Sequence, residues 1–193
     1  YEYLPSVIYI GYNNNYVQAC HGGLEPRYYP FNLLHEELAA HEKMYEEITF
    51  TSEAADLGFM WSDFTFDKTE SSDINGKRDK YSCERTKKIL NKQSDHNNKI
   101  IAVIRAHQHG SDSVPRYIKD PWLGLYRHWV TKLSSPMQEI EGCVPVWTFN
   151  LSSDSPGCVG YGMQDWHKQT LGELKVGESP KEWKFERLNL DYL

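Results

Sequence analysis

No cysteine pair in this sequence has C-x-x-C spacing. Cys20, Cys83, Cys143 and Cys158 lie far apart, which argues against a structural zinc site. Buried, reduced thiols of a cytosol-like compartment are the default expectation, and Cys143–Cys158 is the pairing to check for a bridge. No apolar stretch reaches membrane-spanning length. No long basic run occurs, and the net charge is −6 with a pI near 5.7; nucleic acid and membrane surfaces are therefore disfavoured as main partners. The first residues, Tyr1-Glu2-Tyr3-Leu4-Pro5, resemble neither a signal peptide nor a charged leader. Tyr1 is not methionine and an apolar run follows almost at once, so a piece of a longer product is expected, with a cytoplasmic location. No internal repeat is visible. What is present is ample core material: 193 residues, 39% apolar and 13% aromatic, enough for one domain.

Val7–Ile10 and Tyr16–Cys20 read as two short strands around the turn-rich Gly11-Tyr12-Asn13-Asn14-Asn15. Leu33, Leu34, Leu38 and Ala39 at helical spacing predict an amphipathic helix from about Asn32 to Tyr45. Thr51–Asp56 could open one helical turn. Leu57–Trp61 reads as a short buried strand ended by Ser62-Asp63. Residues 64–77 read as a polar surface loop delivering Arg78, and Cys83 to Lys92 as a helix. Lys99–Arg105, β-branched and continuous, is the clearest buried strand. Leu123 to Val130 suggests a partly helical excursion within residues 111–141. Val144–Phe149 is a strand with Pro145 at its start or on an edge, residues 150–160 are a turn-rich loop, and Gln169–Val176 and Trp183–Leu190 are the last strands.

Histidines mark two of these strand ends. His21 closes an apolar run and is followed by Gly22-Gly23-Leu24-Glu25-Pro26. His107 lies just past the strand ending at Arg105 and is followed by Gln108-His109. Rigid strand ends are good places from which to present imidazoles to a ligand or a metal.

The order of these motifs resembles the C-terminal half of a phosphoprotein phosphatase of the PPP (serine/threonine) metallophosphatase family, within the calcineurin-like superfamily. The resemblance is carried by Tyr3-Leu4-Pro5, His21-Gly22-Gly23-Leu24-Glu25-Pro26, Met60-Trp61-Ser62-Asp63, Arg78, Arg105-Ala106-His107-Gln108 and Val146-Trp147-Thr148-Phe149. It covers residue 1 to about residue 165. It implies an α/β (α+β) fold, the metallophosphatase β-sandwich flanked by helices, with residues 1–193 as the C-terminal part of one catalytic domain and 111–141 an aromatic-rich insertion. It also implies roles. His21 and His107 would bind the second of two divalent ions (Mn²⁺, or Fe or Zn²⁺), and Arg78 would clamp the substrate phosphate and stabilise charge in the transition state. Arg105 would support these groups from behind. Trp61 and Asp63 would pack and fix a loop, with Asp63 a candidate carboxylate partner for a ligating histidine. His107-Gln108-His109 fits the H-x-H of the wider superfamily, in which the second histidine ligates the first metal. The implied activity is hydrolysis of phosphomonoesters on proteins by a metal-activated hydroxide.

The sequence departs from the family twice. The N-terminal motifs GD-x-HG, GD-x-x-DRG and GNHE, which supply the remaining ligands and the catalytic acid, have no counterpart. A partner carrying the N-terminal half of the same catalytic domain, possibly a separate fragment, is therefore expected, and this piece alone should expose one side of a sandwich. The family's SAPNY segment should fall near residues 150–154, where its asparagine and tyrosine are missing from their places. Two rival readings follow. One is a general metallophosphoesterase acting on nucleotides or small phosphates, which His109 favours. The other is a non-catalytic pseudophosphatase or binding module, for which Tyr117, Trp122, Tyr126 and Trp129 would offer an aromatic patch, although buried packing is the commoner use of such rings.

Overall fold

The computed structural model describes residues 5–31, 56–65, 68, 74–75, 78–107, 125–130, 137–149 and 169–190; at 56, 57, 74, 75, 78, 169, 170, 187, 189 and 190 it describes the backbone alone. The architecture is mixed α/β, built on a five-stranded sheet. Its strands are β1 (Val7–Tyr12), β2 (Asn15–Cys20), β6 (Lys99–Arg105), β8 (Val146–Phe149) and β7 (Leu125–Arg127), side by side in that order. The outer pairs, β1 with β2 and β7 with β8, are antiparallel. The three central strands β2, β6 and β8 run parallel, so their C-terminal ends open on one edge of the sheet, where ligands of parallel sheets gather.

Local sequence explains the sheet's framework. Asn13 and Asn14 both adopt left-handed backbone, φ 45° and 60°, and asparagine tolerates that region better than most residues. They close the two-residue hairpin between Tyr12 and Asn15. The helix α2 (Cys83–Gln93) is capped by Ser82, whose hydroxyl accepts from the Arg85 N–H at 3.3 Å. It ends at Ser94, and the Asp95 carboxylate then accepts from the backbone of Asn97 and Asn98, turning the chain into β6. Leu90 on α2, Val103 on β6 and Val146 on β8 meet Leu24, Phe31, Phe64 and Tyr81 in one core cluster. On the other side Val17, Ala102, Leu125 and Trp147 meet Trp183 and Phe185. These last two come with the antiparallel hairpin of β9 (Gln169–Lys175) and β10 (Lys184–Leu190).

Three expectations are corrected. Leu57–Trp61 lies in a short helix, α1 (Asp56–Trp61), not in a strand. A five-residue apolar run is ambiguous between the two, and the decision is made by hydrogen bonding: the Gly22 N–H donates to Phe59 O, and the Gly23 N–H donates to Gly58 O at 3.2 Å. The Phe59 carbonyl is one that a helix end leaves without an intrahelical partner, whereas Gly58 O also accepts from the Ser62 N–H at 3.2 Å. Residues 64–77 are not purely loop: β3 (Asp63–Phe64), β4 (Ile74–Asn75) and β5 (Arg78–Tyr81) form a small sheet in the order β3-β5-β4. The described part of 123–130 contains β7 rather than a helix. Leu125, Tyr126 and Arg127 are all buried against β8, and a strand buried on both faces carries no alternating signal.

The thiol reading is corrected as well. Cys83 and Cys143 form a disulfide with Cα atoms 5.5 Å apart, while Cys158 lies outside the described residues. Cys20 is a free thiol, and burial pushes its pKa up to about 11. The expected helix at 32–45, the turn at 51–55 and the loop at 150–160 also lie outside the described residues. Among the described residues no helix is long and apolar enough to cross a membrane.

Candidate functional site

The sheet brings the two strand-end histidines together. Cys20 on β2 pairs with Arg105 on β6, and the next residues stay joined because the Ala106 N–H donates to His21 O at 3.0 Å. His107 then takes a left-handed backbone, φ 64°, a conformation costly for a residue with a Cβ and common at functional positions. The result sets His107 Nδ1 3.2 Å from His21 Nε2, with ring centroids 5.1 Å apart at 69°. The two nitrogens are within hydrogen-bond distance of each other, and the same spacing would also fit two ligands of one ion. Two nitrogens each about 2.0–2.1 Å from one ion stand about 2.9 Å apart at a right angle and about 3.4 Å apart at a tetrahedral angle. Among the described residues no group of three histidine, cysteine, aspartate or glutamate side chains is placed to hold a metal.

The pair is backed by Trp61-Ser62-Asp63. Gly22 and Gly23 must be glycines for α1 to come this close. A Cβ on Gly22 would stand 2.4 Å from the Met60 carbonyl carbon and 2.6 Å from Trp61 N; one on Gly23 would stand 2.6 Å from Ser62 Oγ. Ser62 is buried and fixes the corner: its hydroxyl donates to Gly58 O at 2.7 Å and accepts from Leu24 N at 2.9 Å. Gly22→Ala is expected to cost about 1–3 kcal/mol, because backbone rather than a flexible side chain must move. The check is a denaturant midpoint that falls at constant slope.

Arg105 is buried beneath this corner, donates to Ser62 O at 3.1 Å, lies 3.6 Å from Asp63 Oδ1 and stacks its guanidinium over Phe64 at 5.4 Å. Burial lowers its pKa to about 10, with Tyr126 and Asp63 opposing the shift, so it stays charged at neutral pH. Asp63 is in turn 3.8 Å from His107 Nε2. This exceeds hydrogen-bond length; the carboxylate lies beside the ring's far nitrogen, while Nδ1 faces His21. Trp61, expected in a buried strand, is instead 44% exposed, with its ring 5.6 Å from His107 at 87°.

Arg78 opens β5, paired with Asn75. Two residues on, Lys80 pairs with Asp63, so the Arg78 backbone lies about 6.6 Å along the strand from the residue beside Asp63. Its side chain lies outside the described residues, as does the whole of His109. Of the four proposed site residues, the structure thus juxtaposes His21 and His107 and places the Arg78 backbone nearby.

Sequence reasoning missed His128. It is buried, bonded through Nε2 to Thr148 Oγ1 at 2.9 Å, and packed 5.5 Å from Phe64, the ring that also carries Arg105. Tyr126 and Trp129 are buried alongside it, so these two rings belong to the core and not to an aromatic surface patch; Tyr117 and Trp122 lie outside the described residues. Only the aromatic density of Tyr126-Arg127-His128-Trp129 hinted at this burial. The pKa of His128 sits well below the ordinary imidazole value, chiefly through burial and also through Arg105, against a hydrogen bond with the Thr65 backbone. The unfolded chain takes up a proton at this residue below about pH 6.5, whereas the folded chain does not. Stability is therefore expected to fall as pH drops below that point, by at most about 1.4 kcal/mol per pH unit from this group. Urea midpoints from pH 7.5 to 5 should show that slope, and His128→Asn should flatten it.

No protein-family model matches this sequence, and no curated protein matches it either.

Proposed function

We propose that this chain is the C-terminal half of the catalytic domain of a metal-dependent phosphoprotein phosphatase, and that its sheet is one layer of a metallophosphatase sandwich. The observation that carries the reading is the 3.2 Å approach of His21 Nε2 and His107 Nδ1 at the ends of adjacent parallel strands, a spacing that two ligands of one ion would also have. A bound pair of divalent ions, Mn²⁺ or alternatively Fe or Zn²⁺, would supply a deprotonated water and polarise the phosphoryl oxygens. The chain's own residues do the rest. His21 and His107 hold one ion. Asp63, itself held beside Arg105, places its carboxylate 3.8 Å from His107 Nε2, on the side of the ring away from His21. Arg78 binds two phosphate oxygens through its planar fork. The N-terminal half supplies the remaining ligands and the acid for the leaving group.

A broader metallophosphoesterase acting on nucleotides is favoured by one feature, the His107-Gln108-His109 pattern, in which His109 would join the other ion. The test is metal content by mass spectrometry on the purified assembly, with initial rates on a phosphopeptide and on a nucleotide monophosphate. Two ions per assembly and preferential phosphopeptide hydrolysis are expected. Preferential nucleotide hydrolysis selects the broader enzyme. No metal and no hydrolysis overturns both and leaves the binding-module reading.

A further inference from the structure

The sequence that leads into Arg78 carries a reactive pair of residues. Asn75-Gly76 is the chain's one asparagine–glycine step; every other asparagine precedes asparagine, tyrosine, leucine or lysine. The side-chain amide of an asparagine is open to attack by the backbone nitrogen of the next residue. Glycine leaves that nitrogen without a Cβ to shield it and gives the backbone freedom to reach the attacking geometry. Asn75 ends β4 and pairs with Arg78, the first residue of β5, so Gly76 and Lys77 alone lie between the strands. Among the described residues β4 is the outer strand of its sheet, held to β5 by the pairs Ile74 with Asp79 and Asn75 with Arg78. So short a strand at an open edge opens at low free energy, and little keeps Asn75 in extended backbone. Directly opposite residues of an antiparallel pair bring their Cβ atoms within about 4.5–5.5 Å. A carboxylate created at position 75 would therefore stand beside Arg78.

We propose that Asn75 is a site of spontaneous deamidation, and that the aspartate or isoaspartate so formed engages Arg78 and takes it from the substrate phosphate. The Gly76 nitrogen bonds to the Asn75 side-chain carbonyl carbon, and the bond from that carbon to the amide nitrogen breaks. Ammonia leaves with the proton that the Gly76 nitrogen gives up, and a five-membered succinimide remains. Water then opens one of the two bonds between the ring nitrogen and a carbonyl carbon. Breaking the bond to the side-chain carbon yields aspartate. Breaking the bond to the main-chain carbon yields isoaspartate, whose backbone runs through the former side chain and is one methylene longer. Either carboxylate offers a guanidinium the same paired oxygens as a phosphate. The effect on phosphate rests on the role of Arg78 proposed above; the deamidation itself does not.

The test ages the purified assembly in mildly alkaline buffer, follows each asparagine by peptide mapping and isoaspartate by enzymatic methyl transfer, and measures rates on a phosphopeptide. Asn75 should convert at least about tenfold faster than any other asparagine, with isoaspartate appearing at that position, and Asn75→Gln should remove the conversion. Freshly prepared Asn75→Asp should show a KM for the phosphopeptide at least about fivefold higher than the wild type. Ageing should drive the wild type, and not Asn75→Gln, toward the same value. An Asn75 that outlasts the other asparagines, or conversion confined to the denatured chain, overturns the site. Conversion in the folded assembly with an unchanged KM in Asn75→Asp overturns the link to Arg78. Absence of hydrolysis in every sample, fresh wild type included, counts against the phosphatase reading and leaves the peptide map to decide the site. Calorimetric titration with inorganic phosphate then decides the link: Asn75→Asp should bind it at least about fivefold more weakly, and equal binding or none overturns it.

Discussion

His107→Gly is expected to release one of two metal ions and to reduce phosphopeptide hydrolysis by more than about 100-fold at limiting metal, with His21→Ala giving the same loss. Groups that merely orient a ligand cost about 10–100-fold in affinity or activity when removed, so loss of the ligand itself should exceed that range. Asp63→Asn, which keeps the shape and removes the charge facing His107 Nε2, belongs inside it. Glycine is the better replacement at 107 because the residue stands at φ 64°. Alanine there would add backbone strain to the loss of the imidazole, whereas glycine removes the ring and keeps the turn. Metal content, thermal midpoint and rate should be read together. A loss of rate with both metals retained would refute the ligand assignment. A collapse of the thermal midpoint in His107→Gly would instead mean that the ring supports the fold.

The pair could be anticipated from sequence because each histidine follows a strand that announces itself. Lys99–Arg105 is continuous and β-branched, and Tyr16–Cys20 is preceded by an asparagine-rich turn, so both strand ends could be placed. That the strands are parallel neighbours is a tertiary fact; it enters only through the Cys20–Arg105 register. The helix was legible as the run from Cys83 to Lys92 with basic residues at its ends. Leu57–Trp61 misled because its conformation is set by glycine N–H groups more than thirty residues earlier in the chain. β7 misled because all three of its side chains are buried, which erases period. His128 had only the aromatic density of its neighbours as a hint: its burial follows from Phe64 and Thr148, residues on two other strands. Each failure concerns an element whose state is decided by distant backbone or by burial on both sides, where local pattern carries least information.

The cysteines show the same limit with the largest consequence for stability. Cys158 is near Cys143 in sequence, but Cys143 is bridged to Cys83 across a separation of 60 residues. Closing a loop of that length removes enough unfolded-chain entropy to stabilise the fold by about 4 kcal/mol. Replacing both cysteines by alanine is therefore expected to lower the thermal midpoint by roughly 8–16 °C for a chain of this size, and dithiothreitol should do the same to the wild type and nothing to the variant. Alkylation of the denatured chain without reductant should mark Cys20 and leave Cys83 and Cys143 unmarked. Marking of all three would refute the bridge and restore the reduced thiols expected from composition. The bridge also bears on the site. Cys83 begins α2 directly after Ser82 and β5, the strand that opens with Arg78, and Cys143 lies just before β8. The crosslink thus anchors the end of β5 next to the sheet's central strands. A staple of this kind persists where thiols are oxidised, so an intact Cys83–Cys143 bond in protein from its native source would place the working assembly in an oxidising compartment, against the cytoplasmic expectation, and would make strong reductants a hazard in every assay of its activity.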